Sequence, residues 1–131
     1  MFNKKRITTL APIKYIGMKK LLLLEGDPDI REMLAFALEN NGFEVIKGQK
    51  STTVEDVIDL KPNVVILDTA NTQLCKDLKA NDTTGMLPVL IYSATENVNA
   101  IVNKFGADAV VAKPFELEDL VHLASRVAYK N

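Results

Sequence analysis

The sequence predicts an α/β protein built on a doubly wound, five-stranded parallel sheet in the order 2-1-3-4-5. Three observations carry that expectation. Five short runs, at 20–24, 43–47, 64–67, 89–92 and 109–112, are predominantly aliphatic rather than alternating with polar residues, as strands buried on both faces must be. Each is followed by a segment whose apolar residues recur at helical spacing. No segment repeats another, and strand–helix alternation of this kind closes by right-handed crossovers into a sheet covered on both sides.

The elements follow in order. The run 20–24 is ended by Glu25-Gly26-Asp27-Pro28, and Ile30, Met33, Leu34, Ala37 and Leu38 then mark a helix closed by Asn40-Asn41-Gly42. After the second strand, Thr53 is placed to cap a helix carrying Val54, Val57 and Ile58 on one face, and Pro62 stops it. Val64 to Leu67 form the third strand, with Asp68 just past its end. Only a short helix fits over 74–79. Pro88 introduces the fourth strand, and Val98, Ile101, Val102 and Phe105 give a helix ended by Gly106. The fifth strand leads to a last helix with Leu117, Leu120, Val121, Ala124, Val127 and Ala128 on its inner face.

At 131 residues, 47% hydrophobic and 25% charged, the chain has the profile of one globular domain. Its net charge of −1 argues against nucleic acid as a partner. Residues 1–20 nevertheless hold six bases and no acid, leaving ten bases against seventeen acids in the remainder. Residues 1–18 are set apart as a basic extension, read either as a flexible arm or as the product of a start assigned upstream of Met18. Residues 19–131 form the domain. No apolar run is long enough to span a membrane, and the lone Cys75 excludes an internal disulfide and fits a cytoplasmic protein. His122 reads as a helix-face residue, Cys75 as a small packed one.

Ligands of doubly wound sheets bind beyond the carboxyl ends of the strands. Those ends carry Glu25 and Asp27 after the first strand, Asp68 after the third, Ser93 after the fourth and Lys113 after the fifth. The set suits transfer of a phosphoryl group to a carboxylate. An aspartate can form an aspartyl phosphate, hard oxygen ligands can hold the divalent cation that offsets the charge repulsion, and a lysine and a hydroxyl can bind the phosphoryl oxygens. Each residue alone has a plainer role as cap, turn former or surface group. Their joint placement favours the chemistry.

The same segments resemble response-regulator receiver domains of two-component signalling, which have the flavodoxin-like fold. Residues 19–34 (KKLLLLEGDPDIREML) look like the family's opening, and 61–68 (KPNVVILD) like its approach to the phosphoacceptor. Residues 87–94 (LPVLIYSA) resemble its fourth strand, and 106–109 (GADA) through 113–115 (KPF) its last strand and lysine–proline turn. The resemblance runs from residue 19 to about 130. It implies that Asp68 is the phosphoacceptor, Ser93 the switching hydroxyl and Lys113 the phosphate-contacting base, with a cis bond before Pro114. It implies Mg2+ held by Glu25, Asp68 and the Ala70 backbone carbonyl, with Asp27 as a substitute ligand. The implied partners are a histidine kinase or phosphotransfer protein and a downstream protein. The implied role is that of a single-domain signalling module rather than an enzyme, assisting at most its own phosphorylation and dephosphorylation. A phosphorylation-independent pseudo-receiver is the alternative.

Three departures from the family pattern stand out. Gly26 takes the place of the second of two adjacent acids, so one metal ligand is missing and Mg2+ should bind weakly. The connection from Asp68 to the third helix is about five residues short. Val110 stands where many members carry the Tyr or Phe that moves with the hydroxyl.

Overall fold

Side by side, the five aliphatic runs satisfy one another's backbone groups and leave both sheet faces to be covered by helices. A computed structural model describes residues 18–93, 97–112 and 116–129. Its elements are β1 (Lys19–Leu24), α1 (Pro28–Glu39), β2 (Phe43–Lys47), α2 (Val54–Leu60), β3 (Val64–Asp68), α3 (Thr72–Ala80), β4 (Val89–Ser93), α4 (Val98–Phe105), β5 (Ala109–Ala112) and α5 (Leu117–Ala128). The sheet order is β2-β1-β3-β4-β5 and every pairing is parallel. The predicted fold class and strand order are therefore the observed ones.

Successive strand residues serve opposite layers. Leu21, Leu23, Ile66, Leu90 and Tyr92 pack with Leu34, Ala35 and Leu38 of α1 and Leu120 and Ala124 of α5. Leu22, Leu24, Val65, Leu67 and Ile91 pack on the other face with Val57 of α2, Cys75 and Leu78 of α3 and Ile101 of α4. Because both faces are covered, the strands lack the polar alternation of a half-exposed sheet.

The helix ends follow local chemistry. Asp27 caps α1 by accepting from the Asp29 and Ile30 amides, with Pro28 at the first position. Thr53 and Asp56 form a reciprocal capping box on α2. That helix ends at Lys61, whose φ of 53° precedes Pro62. Asn97 caps α4, which closes at Gly106 with φ 74°. Several bounds differ from expectation, with β1 beginning at Lys19, β4 ending at Ser93 and α3 ending at Ala80, each one residue beyond the predicted run. Asp68 closes β3 rather than following it, and a 3-10 turn over Thr69–Asn71 lets α3 begin at Thr72. The side chain of Asp68 starts that turn by accepting from the Ala70 amide, which supplies the extra helical turn that hydrophobic spacing alone does not show.

At the opposite end of the sheet, Lys79 of α3 ties several segments together. Its ammonium lies 2.6 Å from Asp108 and 2.8 Å from the Leu87 carbonyl, and Asp108 also accepts from the Val89 amide. The carboxyl end is closed by Gly48, whose amide bonds the Leu23 carbonyl at 2.9 Å. A Cβ there would lie 2.3 Å from Leu24 Cδ2 and 2.9 Å from Leu22 Cδ1, both in packed core. Gly26 has nothing within 4 Å of its would-be Cβ and is not in the left-handed region. Gly48→Ala should therefore cost about 1–3 kcal/mol through overpacking, whereas Gly26→Ala should stay within about 0.5 kcal/mol of wild type. Chemical denaturation of the two variants measures the difference, and equal losses would contradict the packing described.

Candidate functional site

Parallel register brings the carboxyl ends of the central strands level. Leu24 of β1 sits beside Leu67 of β3, and Asp68 beside Tyr92 of β4. Glu25, one residue past β1, and Asp68, the last of β3, consequently line one open cleft of about 500 Å³, along with Gly26, Arg31, Gly48, Lys50, Ala70 and Asn71.

Asp68 Oδ1 accepts from the Ala70 amide at 3.1 Å and the Asn71 side-chain amide at 2.8 Å. Glu25 is buried, at 7% exposure. Its Oε2 accepts from the Asp27 amide at 2.9 Å, and its Oε1 accepts from the Tyr92 hydroxyl. Tyr92 is fully buried. Burial, then the bond to Glu25, then the charges of Glu25 and Asp68 hold its phenol above the ordinary tyrosine range, so it stays protonated and donates. The Arg31 guanidinium bonds the Glu25 carbonyl at 3.2 Å. Among the described residues, two acids thus share the cleft with two bases. Among the described residues no buried side-chain nitrogen or oxygen lacks a partner.

Several of the residues singled out in the sequence come together here, and others do not. Glu25, Asp68 and Ala70 line the cleft. Ser93 closes β4, fully buried and level with Ala112 of β5. Asp27 lies beside the cleft, but its carboxylate is engaged as the cap of α1 and does not line it. Lys113 and the bond before Pro114 fall outside the described residues. Sequence reasoning passed over Tyr92, Asn71, Arg31 and Lys50. A tyrosine within an otherwise aliphatic buried strand was a usable signal, because a buried phenol needs an acceptor. The exposed Lys50 carried none.

The donor set suits a hard divalent cation in kind, since two carboxylates line one cleft, and Mg2+ commonly takes one or two carboxylates and keeps several waters. It is short in number. Among the described residues no cluster of three His, Cys, Asp or Glu is arranged to hold a metal.

Acids gathered beyond the carboxyl edge of a 2-1-3-4-5 sheet are the layout of a signal receiver, and comparison with known proteins leads to the same class. No protein-family model matches the chain. It is 33% identical over 111 residues to the phosphate regulon transcriptional regulatory protein PhoB of Pseudomonas aeruginosa, covering 79% of this chain and 48% of that protein. It is 30% identical over 110 residues to the DNA-binding response regulator MtrA of Mycolicibacterium smegmatis, covering 79% and 47%. The chain spans about half the length of the curated relatives it matches. Among solved structures it is similar to a putative response regulator from Chloroflexus aurantiacus, with TM-score 0.73 and 26% identity over 85% of this chain and 98% of that one. The receiver domain of the sensor histidine kinase PA1611 from Pseudomonas aeruginosa, with a magnesium ion in its active-site cleft, has the same fold at TM-score 0.74 and 16% identity, covering 85% and 98%. In sequence and in fold the chain is similar to the receiver domains of two-component response regulators. Among the described residues no helix is long and apolar enough to cross a membrane.

Cys75, the only thiol, lies in α3 away from the cleft and donates to the Phe105 carbonyl at 3.2 Å. Burial pushes its pKa from 9.0 up to about 11, against the pull of nearby Lys79. The neutral thiol therefore dominates at neutral pH and Cys75 is no nucleophile. Between pH 9 and 11 the unfolded chain gives up this proton first, so the thiol's contribution to stability is lost as pH rises through that window. Thiol labelling of the native protein at neutral pH should be far slower than in denaturant. Equal rates would contradict the burial.

Proposed function

We propose that this receiver accepts a phosphoryl group on Asp68 from a phosphohistidine of a histidine kinase or phosphotransfer protein, and signals by binding a protein partner. The observation that supports this most is the place of Asp68, which ends the central strand of the sheet and shares a cleft with Glu25, the acid one residue past the neighbouring strand. An Asp68 oxygen attacks phosphorus as the phosphorus–nitrogen bond breaks, and the histidine nitrogen leaves with the electron pair. Mg2+, held by Glu25, Asp68 and the Ala70 carbonyl, would offset the negative charge gathered there.

This chain's own groups do the remaining work. Asn71 and the Ala70 amide hold the Asp68 carboxylate by one oxygen, which orients the other. Arg31 and Lys50 add positive charge along the cleft. Ser93, at the end of β4, and Lys113 are the groups assigned to the phosphoryl oxygens, by resemblance to the family. A second reading, the phosphorylation-independent interaction module, is favoured by one observation. Both acids already have internal donors.

Incubation with acetyl phosphate and Mg2+ followed by mass spectrometry separates the readings. The expected product carries one added phosphoryl group, absent in Asp68→Asn. An unmodified wild type at saturating Mg2+ would instead establish the interaction module. Because the position has room for a side chain, Gly26→Asp should fold normally and tighten Mg2+ binding by about ten-fold, as added ligand charge does at hard-cation sites. Unchanged affinity on titration would mean that residue 26 does not face the cation.

A further inference from the structure

A phenol in this position needs an explanation. The rest of β4 in its apolar stretch is Val89, Leu90 and Ile91, all fully buried. An aliphatic residue at 92 would pack there without requiring a partner, whereas Tyr92 brings a hydroxyl that must be satisfied. It is satisfied by Glu25, 67 positions earlier in the chain, at the mouth of the cleft. Register places Tyr92 beside Asp68, and its hydroxyl donates to Glu25, so the residue links the ends of β1 and β4.

We propose that Tyr92 is a positioning residue that sets divalent-cation affinity at this site, because its hydroxyl holds Glu25 Oε1 and competes with a cation for that oxygen. The inference rests on the reading of Glu25 and Asp68 as the cation's carboxylates.

The physical case is one of competing partners. A carboxylate at 7% exposure must be compensated by a donor or a cation. Among the described residues Glu25 has two donors, the Asp27 amide on Oε2 and the Tyr92 hydroxyl on Oε1. A cation that draws on Glu25 must share or displace the phenol, and that cost is subtracted from its binding. The same pair removes the need for a cation to keep Glu25 buried. Tyr92 therefore weakens the cation site and at the same time keeps it folded without the ion. This effect acts in the same direction as the missing acid at Gly26 and is independent of it.

The test uses the full chain, with Mg2+ alone as the probe, in wild type, Tyr92→Phe and the double variant Glu25→Gln/Tyr92→Phe. Mg2+ affinity is measured by calorimetric titration and thermal midpoint with EDTA or Mg2+. Tyr92→Phe is expected to bind Mg2+ roughly ten-fold more tightly, the order set by removal of one buried charge-assisted competitor. Its midpoint in EDTA should fall, and added Mg2+ should raise it by more than in wild type. Glu25→Gln in that background should erase the gain. A tyrosine that merely fills space would lower the midpoint without changing its response to Mg2+. Tyr92→Leu, which matches the neighbouring aliphatic residues, gives the same readout if the phenylalanine variant does not fold. Equal or weaker affinity in the variants, including no binding by any of them, overturns the inference. The underlying reading fails separately, if Asp68→Asn binds Mg2+ as tightly as wild type.

Discussion

A buried carboxylate that cannot reach bulk water must be met by donors, and the site of this receiver is organised around meeting that demand at Glu25. The Tyr92 hydroxyl crosses from β4 to reach it, and the Asp27 amide closes from the chain just beyond. The Tyr92 contact forms only with β1, β3 and β4 in their observed parallel register, Leu24 level with Leu67 and Asp68 level with Tyr92, whereas the Asp27 contact is local to the turn. A slip of one residue would turn Tyr92 to the other layer and leave Glu25 buried with one donor fewer. The same register that fills both core layers therefore assembles the polar cleft. Strand ends and core cannot be altered independently.

The residues just past Glu25 add no further carboxylate to the cleft. Gly26 leaves open space where a carboxylate would fit, while Asp27 is committed to the first turn of α1. Arg31 and Lys50 line the cleft with Glu25 and Asp68, so that among the described residues acids and bases are equal in number around it. Asp68 itself caps the 3-10 turn that leads into α3, through the Ala70 amide, and takes a second bond from Asn71. Such internal satisfaction lowers the demand for a cation. Further along, Val110 pairs with Ile91 in β5. It is β-branched and stiff about χ1.

How much of this was legible beforehand varied with the physical signal. Strand order and layers were readable because two-sided burial demands aliphatic residues at both alternating positions, and Leu21 to Leu24 and Val64 to Leu67 supply them. Helix ends were readable wherever the chemistry is local, as at Thr53 and Gly106. The start of α3 was not, because it depends on the Asp68 side chain capping a turn. Residues 69–73 have no apolar periodicity to show it. Glu25 and Asp68 could be named from the strand ends alone. Their partners could not, since Tyr92 and Glu25 are joined only through the sheet, and an exposed Lys50 reaches the cleft only because β2 lies beside β1. Long-range pairing is not written in local sequence.

The most direct test of the account is a comparison of amide chemical shifts in the full chain with and without beryllofluoride and Mg2+, the beryllofluoride standing in for the phosphoryl group on Asp68. Glu25 to Asp27, Asp68 to Asn71 and Ser93 should shift strongly, with Ala109 to Ala112 and α5 changing little. Absence of any shift at saturating Mg2+ would contradict the assignment of Asp68 as the phosphoacceptor. Large shifts spreading through β5 and α5 would contradict a response confined to the cleft.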